Sequence, residues 1–143
     1  GMSAFATSIA LSLNAFAGIP TARFAGRRRA PGLWLVVIAG CVWILTTTTS
    51  QVAFFVVLTI WGFAFWSFVP ETFAILADRS VYPSDRVGDA QAVMSFGRVL
   101  GPTFGGVMLT TGGFGLLGLV AAVLMVASAV AIEFVATEHR RRR

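Results

Sequence analysis

The chain has 143 residues, of which 57% are apolar and 12% are charged, and it carries a formal net charge of +5. Its mean hydropathy of +0.82 lies outside the range of ordinary soluble domains. A soluble protein of this length needs more surface charge than 11 basic and 6 acidic residues supply. The composition therefore excludes an ordinary water-soluble domain and predicts that a lipid bilayer surrounds most of the chain.

Five long apolar segments predict an all-α fold, a polytopic transmembrane helix bundle with about five spanning helices. The segments cover residues 2–22, 31–50, 52–77, 87–110 and 114–136. A spanning helix needs about 20 mostly apolar residues to cross a hydrocarbon core of about 30 Å. None of the segments has the polar face that helices of a soluble bundle show at the 3.6-residue period. The second segment is the shortest, and we expect it to extend into its neutral flanks.

The distribution of arginine predicts the topology in the membrane. The connections TTTTSQ and TTGGFG contain no arginine, whereas the connections around residues 23–29 and 79–86, together with the tail, contain ten of the eleven. Because basic residues accumulate on cytoplasmic loops, we expect these three regions on the inner face. The prediction is a multi-pass protein of the plasma membrane, the inner membrane of a bacterial cell, with a cytoplasmic C-terminus and TTGGFG as a tight extracellular turn.

The basic clusters raise nucleic-acid binding as another possibility. That function needs a groove-reading element or an aromatic platform on a soluble domain, and the sequence has neither. We therefore expect no nucleic-acid partner. The tail instead suits contact with anionic lipid headgroups, worth about 1 kcal/mol per arginine near the surface.

Two stretches carry a resemblance to a known family. Residues 18–28, GIPTARFAGRR, resemble the cytoplasmic signature loop of the major facilitator superfamily, which reads Gly, three residues, Asp-Arg, one residue, Gly-Arg-Arg. The matching positions are Gly18, Arg23, Gly26, Arg27 and Arg28. The acidic position is Ala22 here, and one extra residue separates Arg23 from Gly26. Residues 54–106, which include YPSDRVGDAQAVMSFGRVLGPTFGG, resemble the tenth and eleventh helices of drug-efflux-like members of the family.

The resemblance implies that the five segments correspond to helices eight to twelve, the C-terminal portion of a transporter. A complete member of the family has twelve helices in two halves. The chain would then work with a missing N-terminal half or with another copy of itself. A small-molecule substrate is implied, but its identity is not.

Glycines and prolines of the apolar segments suggest packing faces and hinges. Gly97, Gly101 and Gly105 recur at a spacing of four residues, which lets another helix approach closely. Pro70 and Pro102 each remove a backbone donor and predict a bend. Bent helices suit a protein that opens alternately to the two sides of a membrane.

Two charged residues inside the apolar segments are the main candidates for substrate binding or proton coupling. Arg98 lies about 15 Å along its helix from the cytoplasmic connection, and Glu71 lies about 10 Å from Asp78. The antiparallel arrangement of their helices places them at similar depth, and we predict that they form an ion pair. The functional interpretation is coupling in a central cavity. The alternative is a structural ion pair near the inner face.

Aromatic and polar residues supply weaker candidates. Trp61, Phe65 and Phe68 recur at helical spacing and could line a pocket for a lipophilic substrate, although such a stripe is more often packing. Asn14 is expected to donate a hydrogen bond across a helix interface rather than bind a ligand.

Enzymatic chemistry is not expected. A single cysteine, Cys41, and a single histidine, His139, leave no basis for a disulfide or a metal site, and no cofactor motif is present. TTGGFG lacks the lysine and hydroxyl of a phosphate-binding loop. No catalytic set of Ser, His and Asp can be assembled.

Two functions remain. The first is a fragment of a secondary active transporter of permease or efflux type, which moves a small solute by alternating access and is coupled to protons. The alternative is a small membrane scaffold that transports nothing and binds other helices through its glycine-rich face.

Overall fold

The computed structural model describes residues 3–21, 30–78 and 81–141, and this part of the chain is helical. It forms four helices: α1 (Ala4–Phe16), α2 (Pro31–Thr47), α3 (Gln51–Asp78) and α4 (Pro83–Arg141). No strand is present in these ranges. The predicted all-α fold class is therefore confirmed.

Helix α4 reverses direction at Gly113 and consists of two arms, 83–112 and 114–141. Gly113 has φ 69° and ψ −170°, a backbone conformation that residues with a Cβ atom rarely adopt. A Cβ atom built on Gly105 would lie 3.6 Å from Cδ1 of Leu117. Along a straight helix these two residues would be about 18 Å apart, so the arms fold back on each other. The predicted segments 87–110 and 114–136 fall on separate arms, and the predicted turn at TTGGFG contains the reversal.

Helix α2 lies at the centre of the bundle. The second arm of α4 runs antiparallel to it, because Gly32 at the start of α2 contacts Glu133 and Thr46 at its end contacts Gly118. The buried residues of α2 are Pro31, Gly32, Leu35, Ile38, Ala39 and Cys41. Helix α3 packs on α2 as well, and α1 packs on α3. The core therefore surrounds α2, where three helical segments meet.

The end of α2 explains why it is shorter than the predicted segment 31–50. Thr48 is extended, with φ −82° and ψ 142°, and its hydroxyl accepts a hydrogen bond of 3.2 Å from the backbone N–H of Ser50. Threonine and serine side chains that bond to nearby backbone groups compete with helix formation. The hydroxyl of Ser50 then accepts from the N–H of Ala53 at 3.4 Å, so the same short connection begins α3.

The number of helices able to cross a membrane is smaller than the five predicted. By length and composition two qualify among the described residues, Gln51–Asp78 with 28 residues and the stretch Ser84–Phe134 with 51. Helix α1 has only 13 residues and α2 has 17, because α1 ends before Gly18 and Pro20 and α2 ends at Thr47. The prediction of five spanning helices is corrected accordingly, since turn-forming residues at the segment ends shorten the helices.

The two long apolar helices are largely exposed. Only 22% of the most apolar 18-residue stretch of α3 is buried, and only 11% of the corresponding stretch of α4. Large apolar side chains on the outside of α4 include Val93, Phe96, Phe104 and Phe134, which are 60% exposed or more. An apolar helix in the core of a soluble protein is mostly buried, so these helices do not form such a core.

Candidate functional site

Glu71 lies on α3, facing α2. Its Oε2 atom accepts a hydrogen bond of 3.1 Å from the indole Nε1–H of Trp34 on α2. Its Oε1 atom is shielded from solvent. An indole is a donor only, so the carboxyl oxygen is the acceptor in this contact. The geometry places an acidic group between two apolar helices, with an aromatic donor in contact.

The Trp34 ring is oriented by a second contact with α3. It packs edge-on against Phe63, with ring centroids 5.8 Å apart and an interplanar angle of 69°. Edge-to-face pairs of this kind contribute about 0.5–1.5 kcal/mol beyond their buried area. Trp34 therefore bridges two positions of α3 that are about two helical turns apart, and it holds its N–H against Glu71. Trp34 was not among the predicted site residues.

The structure does not bring Glu71 and Arg98 together. Arg98 is exposed on the first arm of α4, whereas Glu71 is half-buried against α2. No ion pair joins the two residues in the described part of the chain, where Arg86 and Asp89 form one at 3.6 Å. The difference arises from the face of α3 that carries Glu71, because that face is turned toward α2 and away from Arg98.

The three predicted aromatic residues of α3 occupy different surroundings. Phe65 packs against Trp66, with centroids 5.6 Å apart and the rings nearly perpendicular at 85°. Phe68 lines a cleft between α3 and the first arm of α4, and Trp61 and Phe65 are not among the lining residues of that cleft. Trp61 is half-buried. The aromatic stripe is therefore divided between packing and the cleft.

The close helix contacts involve glycines other than the predicted stripe. Space is open around the positions that a Cβ atom would occupy at Gly97 and Gly101, and Gly105 meets Leu117 at an ordinary distance. By contrast, a Cβ atom at Gly62 would collide with the backbone of Asn14 on α1. Asn14 also donates from Nδ2 to the carbonyl of Leu58 at 2.8 Å, which confirms the predicted hydrogen bond across a helix interface.

The proline positions lie inside continuous helices. Pro70 lies within α3 and Pro102 within α4, and the non-helical dihedral angles of α4 are at Gly113. Because proline has no N–H, the carbonyl of Trp66, four residues before Pro70, loses its usual donor. The hydroxyl of Thr21 lies 3.4 Å from this carbonyl and 2.6 Å from that of Gly18. A hinge at either proline remains a prediction.

Most of the predicted signature loop is outside the described residues. This applies to Arg23, Gly26, Arg27 and Arg28. Gly18 is described, and a Cβ atom there would overlap the ring of Trp66 on α3. The described end of the loop therefore packs closely on the same helix that carries Glu71.

A second acidic residue, Glu133, was not identified by sequence analysis. Its Oε1 atom accepts a hydrogen bond of 3.1 Å from the backbone N–H of Gly32 in the first turn of α2. Ala30, at the N-cap position of α2, has no side-chain acceptor of its own. Glu133 therefore caps α2 from the second arm of α4, where its charge also suits the positive end of the helix dipole. Its position inside an apolar segment was the signal that could have identified it.

Comparisons with protein-family models, with curated proteins and with solved structures found no match. The resemblance to the major facilitator superfamily thus remains an expectation from two sequence stretches. In the described ranges, no group of three His, Cys, Asp or Glu side chains is placed to hold a metal ion.

Proposed function

We propose that the chain is a multi-pass membrane unit of the cell inner membrane, in which α3 and the two arms of α4 cross the bilayer in alternating directions. Helix α2 crosses it as well in this proposal, because its 17 residues reach the lower limit of about 17 for a spanning helix. The exposed apolar surfaces of α3 and α4 support this setting, since lipid is the solvent that suits them. Hydroxyl groups on α3 are also satisfied within the helix: those of Thr59, Ser67 and Thr72 donate to carbonyls four residues earlier. The connections that bear arginine then share the cytoplasmic face with the C-terminus.

We further propose that this unit belongs to a secondary active transporter that exports a small solute in exchange for protons. The observation that carries the proposal is the contact between Glu71 and Trp34. Ionisable residues inside apolar helix bundles are rare, and they mark ion and substrate pathways. Glu71 is partly shielded, accepts a hydrogen bond from an aromatic donor and lies between α2 and α3.

In this mechanism, protonation of Glu71 changes the strength of its hydrogen bond to Trp34. When ionised, the carboxylate keeps its hydrogen bond to Trp34 and holds α2 against α3. When protonated, it binds the indole less strongly, because a charged acceptor makes the stronger hydrogen bond. Pro70 directly precedes Glu71 and lacks a backbone donor, so a change in the bend of α3 moves the carboxyl group. Proton binding is thereby coupled to the packing of two helices.

Helices beyond those described here complete the transport path in this proposal. They come from an N-terminal transporter half or from another copy of the chain. The first arm of α4 supports this part of the proposal, because most of its residues are exposed and the space beside Gly97 and Gly101 is open. The same observation favours the second candidate function, a membrane scaffold that binds other helices through this arm and transports nothing.

The test uses everted membrane vesicles from cells that produce the full protein. Respiration acidifies the vesicle interior, an acridine dye reports the proton gradient, and ethidium is added as a lipophilic cation. We expect ethidium to dissipate the gradient with the unmodified protein and not with Glu71→Gln. Asp78→Asn is the matched control, since Asp78 is an exposed acid on the same helix, and it should retain the response.

Two results would contradict the transporter proposal. One is an equal response for Glu71→Gln and the unmodified protein. The other is the absence of any response from a panel of cationic, neutral and anionic dyes while the protein is present in the membrane at the same amount. The second result would favour the scaffold function.

A further inference from the structure

The facing ends of α3 and the first arm of α4 line an open cleft of about 380 Å³. This volume is within the range of about 300–1,000 Å³ that is typical of small-molecule sites. The walls are mainly apolar and include Phe68, Phe73 and Leu76 from α3 and Ala90, Val93 and Met94 from α4. On α3 the lining positions Phe68, Thr72 and Leu76 are four residues apart. On α4 the same spacing relates Arg86, Ala90 and Met94, so each helix contributes one continuous face.

Two charged side chains line the cleft, and they form an ion pair with each other. Arg86 and Asp89 lie one helical turn apart on α4, with Nη1 and Oδ2 separated by 3.6 Å. Their side chains are 65% and 70% exposed. An exposed ion pair of this kind contributes at most about 1 kcal/mol to stability. A bound ligand can therefore replace it, with one ligand group on the guanidinium and another on the carboxylate.

The position of this pair fits the level of lipid headgroups in the membrane setting proposed above. Arg86 and Asp89 lie within the first two turns of α4, directly after the short connection that follows Asp78. The apolar part of the cleft extends from there along both helices. A molecule that fits must have an apolar tail along the walls and a polar group at the end near the connection. A membrane phospholipid has this shape and is present at high concentration around the helices.

The chemistry of the pair selects among phospholipids. A guanidinium binds phosphate well, and a carboxylate accepts hydrogen bonds from an ammonium group. We propose that the cleft binds a phospholipid with a zwitterionic headgroup and a primary amine, phosphatidylethanolamine, with its phosphate on Arg86 and its ammonium on Asp89. The headgroup of phosphatidylglycerol offers Asp89 only neutral hydroxyl donors and has no positive charge to balance the carboxylate. The quaternary ammonium of phosphatidylcholine has no N–H to donate.

Native mass spectrometry of the purified full chain tests this assignment. The protein is incubated in mild detergent with equal amounts of phosphatidylethanolamine, phosphatidylglycerol and phosphatidylcholine. We expect the phosphatidylethanolamine adduct to dominate and Asp89→Asn to lower its preference over phosphatidylcholine about tenfold, as for loss of one hydrogen bond to a charged group. Asp85→Asn is the matched control, because Asp85 lies one turn earlier on α4 and does not line the cleft. It should leave the preference unchanged.

A second variant tests the cleft itself. Ala90→Phe fills the apolar space, and we expect it to reduce the adducts of all three lipids. Four results would overturn the assignment: equal binding of the three lipids, a preference for phosphatidylglycerol, equal effects of Asp89→Asn and Asp85→Asn, or full adducts with a folded Ala90→Phe protein. A dimer that Ala90→Phe dissociates would show that a second copy covers the cleft, and would also overturn it. The lipid measurement needs no transport activity, so it stands apart from the vesicle test.

Discussion

The carboxylate of Glu71 and the indole of Trp34 connect α3 to α2 through a hydrogen bond of 3.1 Å. This is a polar contact between two mainly apolar helices. In such surroundings a hydrogen bond to a charged group is worth more than one at a wet surface, because water does not compete for the carboxylate.

Trp34→Phe should therefore destabilise the protein, because it keeps most of the ring and removes the donor to Glu71. We expect a loss of about 1–3 kcal/mol in the free energy of unfolding. The measurement is equilibrium unfolding in mixed micelles. Trp43→Phe, at a 42% exposed tryptophan of the same helix, is the control and should change stability much less. In a double-mutant cycle with Glu71→Gln, a coupling energy of zero would show that the two side chains do not interact.

Gly62→Ala should destabilise the packing of α1 on α3. A Cβ atom at this position would collide with backbone atoms of Asn14, which cannot move away as a side chain can. Gly97→Ala is the comparison, because space is open there and alanine favours a helix over glycine by about 1 kcal/mol. In thermal unfolding of the monomer in detergent, Gly62→Ala should lower the melting temperature, and Gly97→Ala should leave it unchanged or raise it. The reverse order would contradict the packing described here.

Glu133→Ala should weaken the first turn of α2. The backbone N–H of Gly32 loses its acceptor, and removal of a helix cap lowers stability by about 0.5–2 kcal/mol. Glu133→Gln keeps an acceptor oxygen and should cause a smaller loss. Amide hydrogen exchange of residues 32–34 measures the effect directly. If Glu133→Ala and the unmodified protein exchange at the same rate in this turn, Glu133 does not cap α2.

The sequence predicted the fold class and the approximate helical segments, because long apolar runs between turn-forming residues have few alternatives. It did not predict where the helices end. Thr48 belongs to a neutral run that is compatible with a longer α2, yet its hydroxyl bonds to the N–H of Ser50 and the helix stops at Thr47. Local bonds of this kind depend on the geometry of a single turn, and a hydropathy pattern does not contain them.

The candidate site was predicted only in part for a related reason. Glu71 was identifiable as an acid in an apolar segment, but its partner depended on which face of α3 packs on α2. An apolar segment without a polar face does not specify that orientation, so Arg98 was as reasonable a partner as Trp34. The glycines that form close helix contacts were not predicted for the same reason. Gly97 and Gly101 have the spacing of a packing face, whereas α1 and α3 approach each other closely at the isolated Gly62.

In the proposed topology the helices cross a bilayer in alternating directions, and the two arms of α4 cross it separately. Single-cysteine labelling in intact cells tests it most directly, in a Cys41→Ser background that has no other cysteine. New cysteines replace Thr49, Ser84 and Thr111, which are all exposed in the structure. A membrane-impermeant maleimide added outside should label Thr49→Cys and Thr111→Cys, and should label Ser84→Cys only after the membrane is opened. Labelling of Ser84→Cys and Thr111→Cys from the same side would contradict the account.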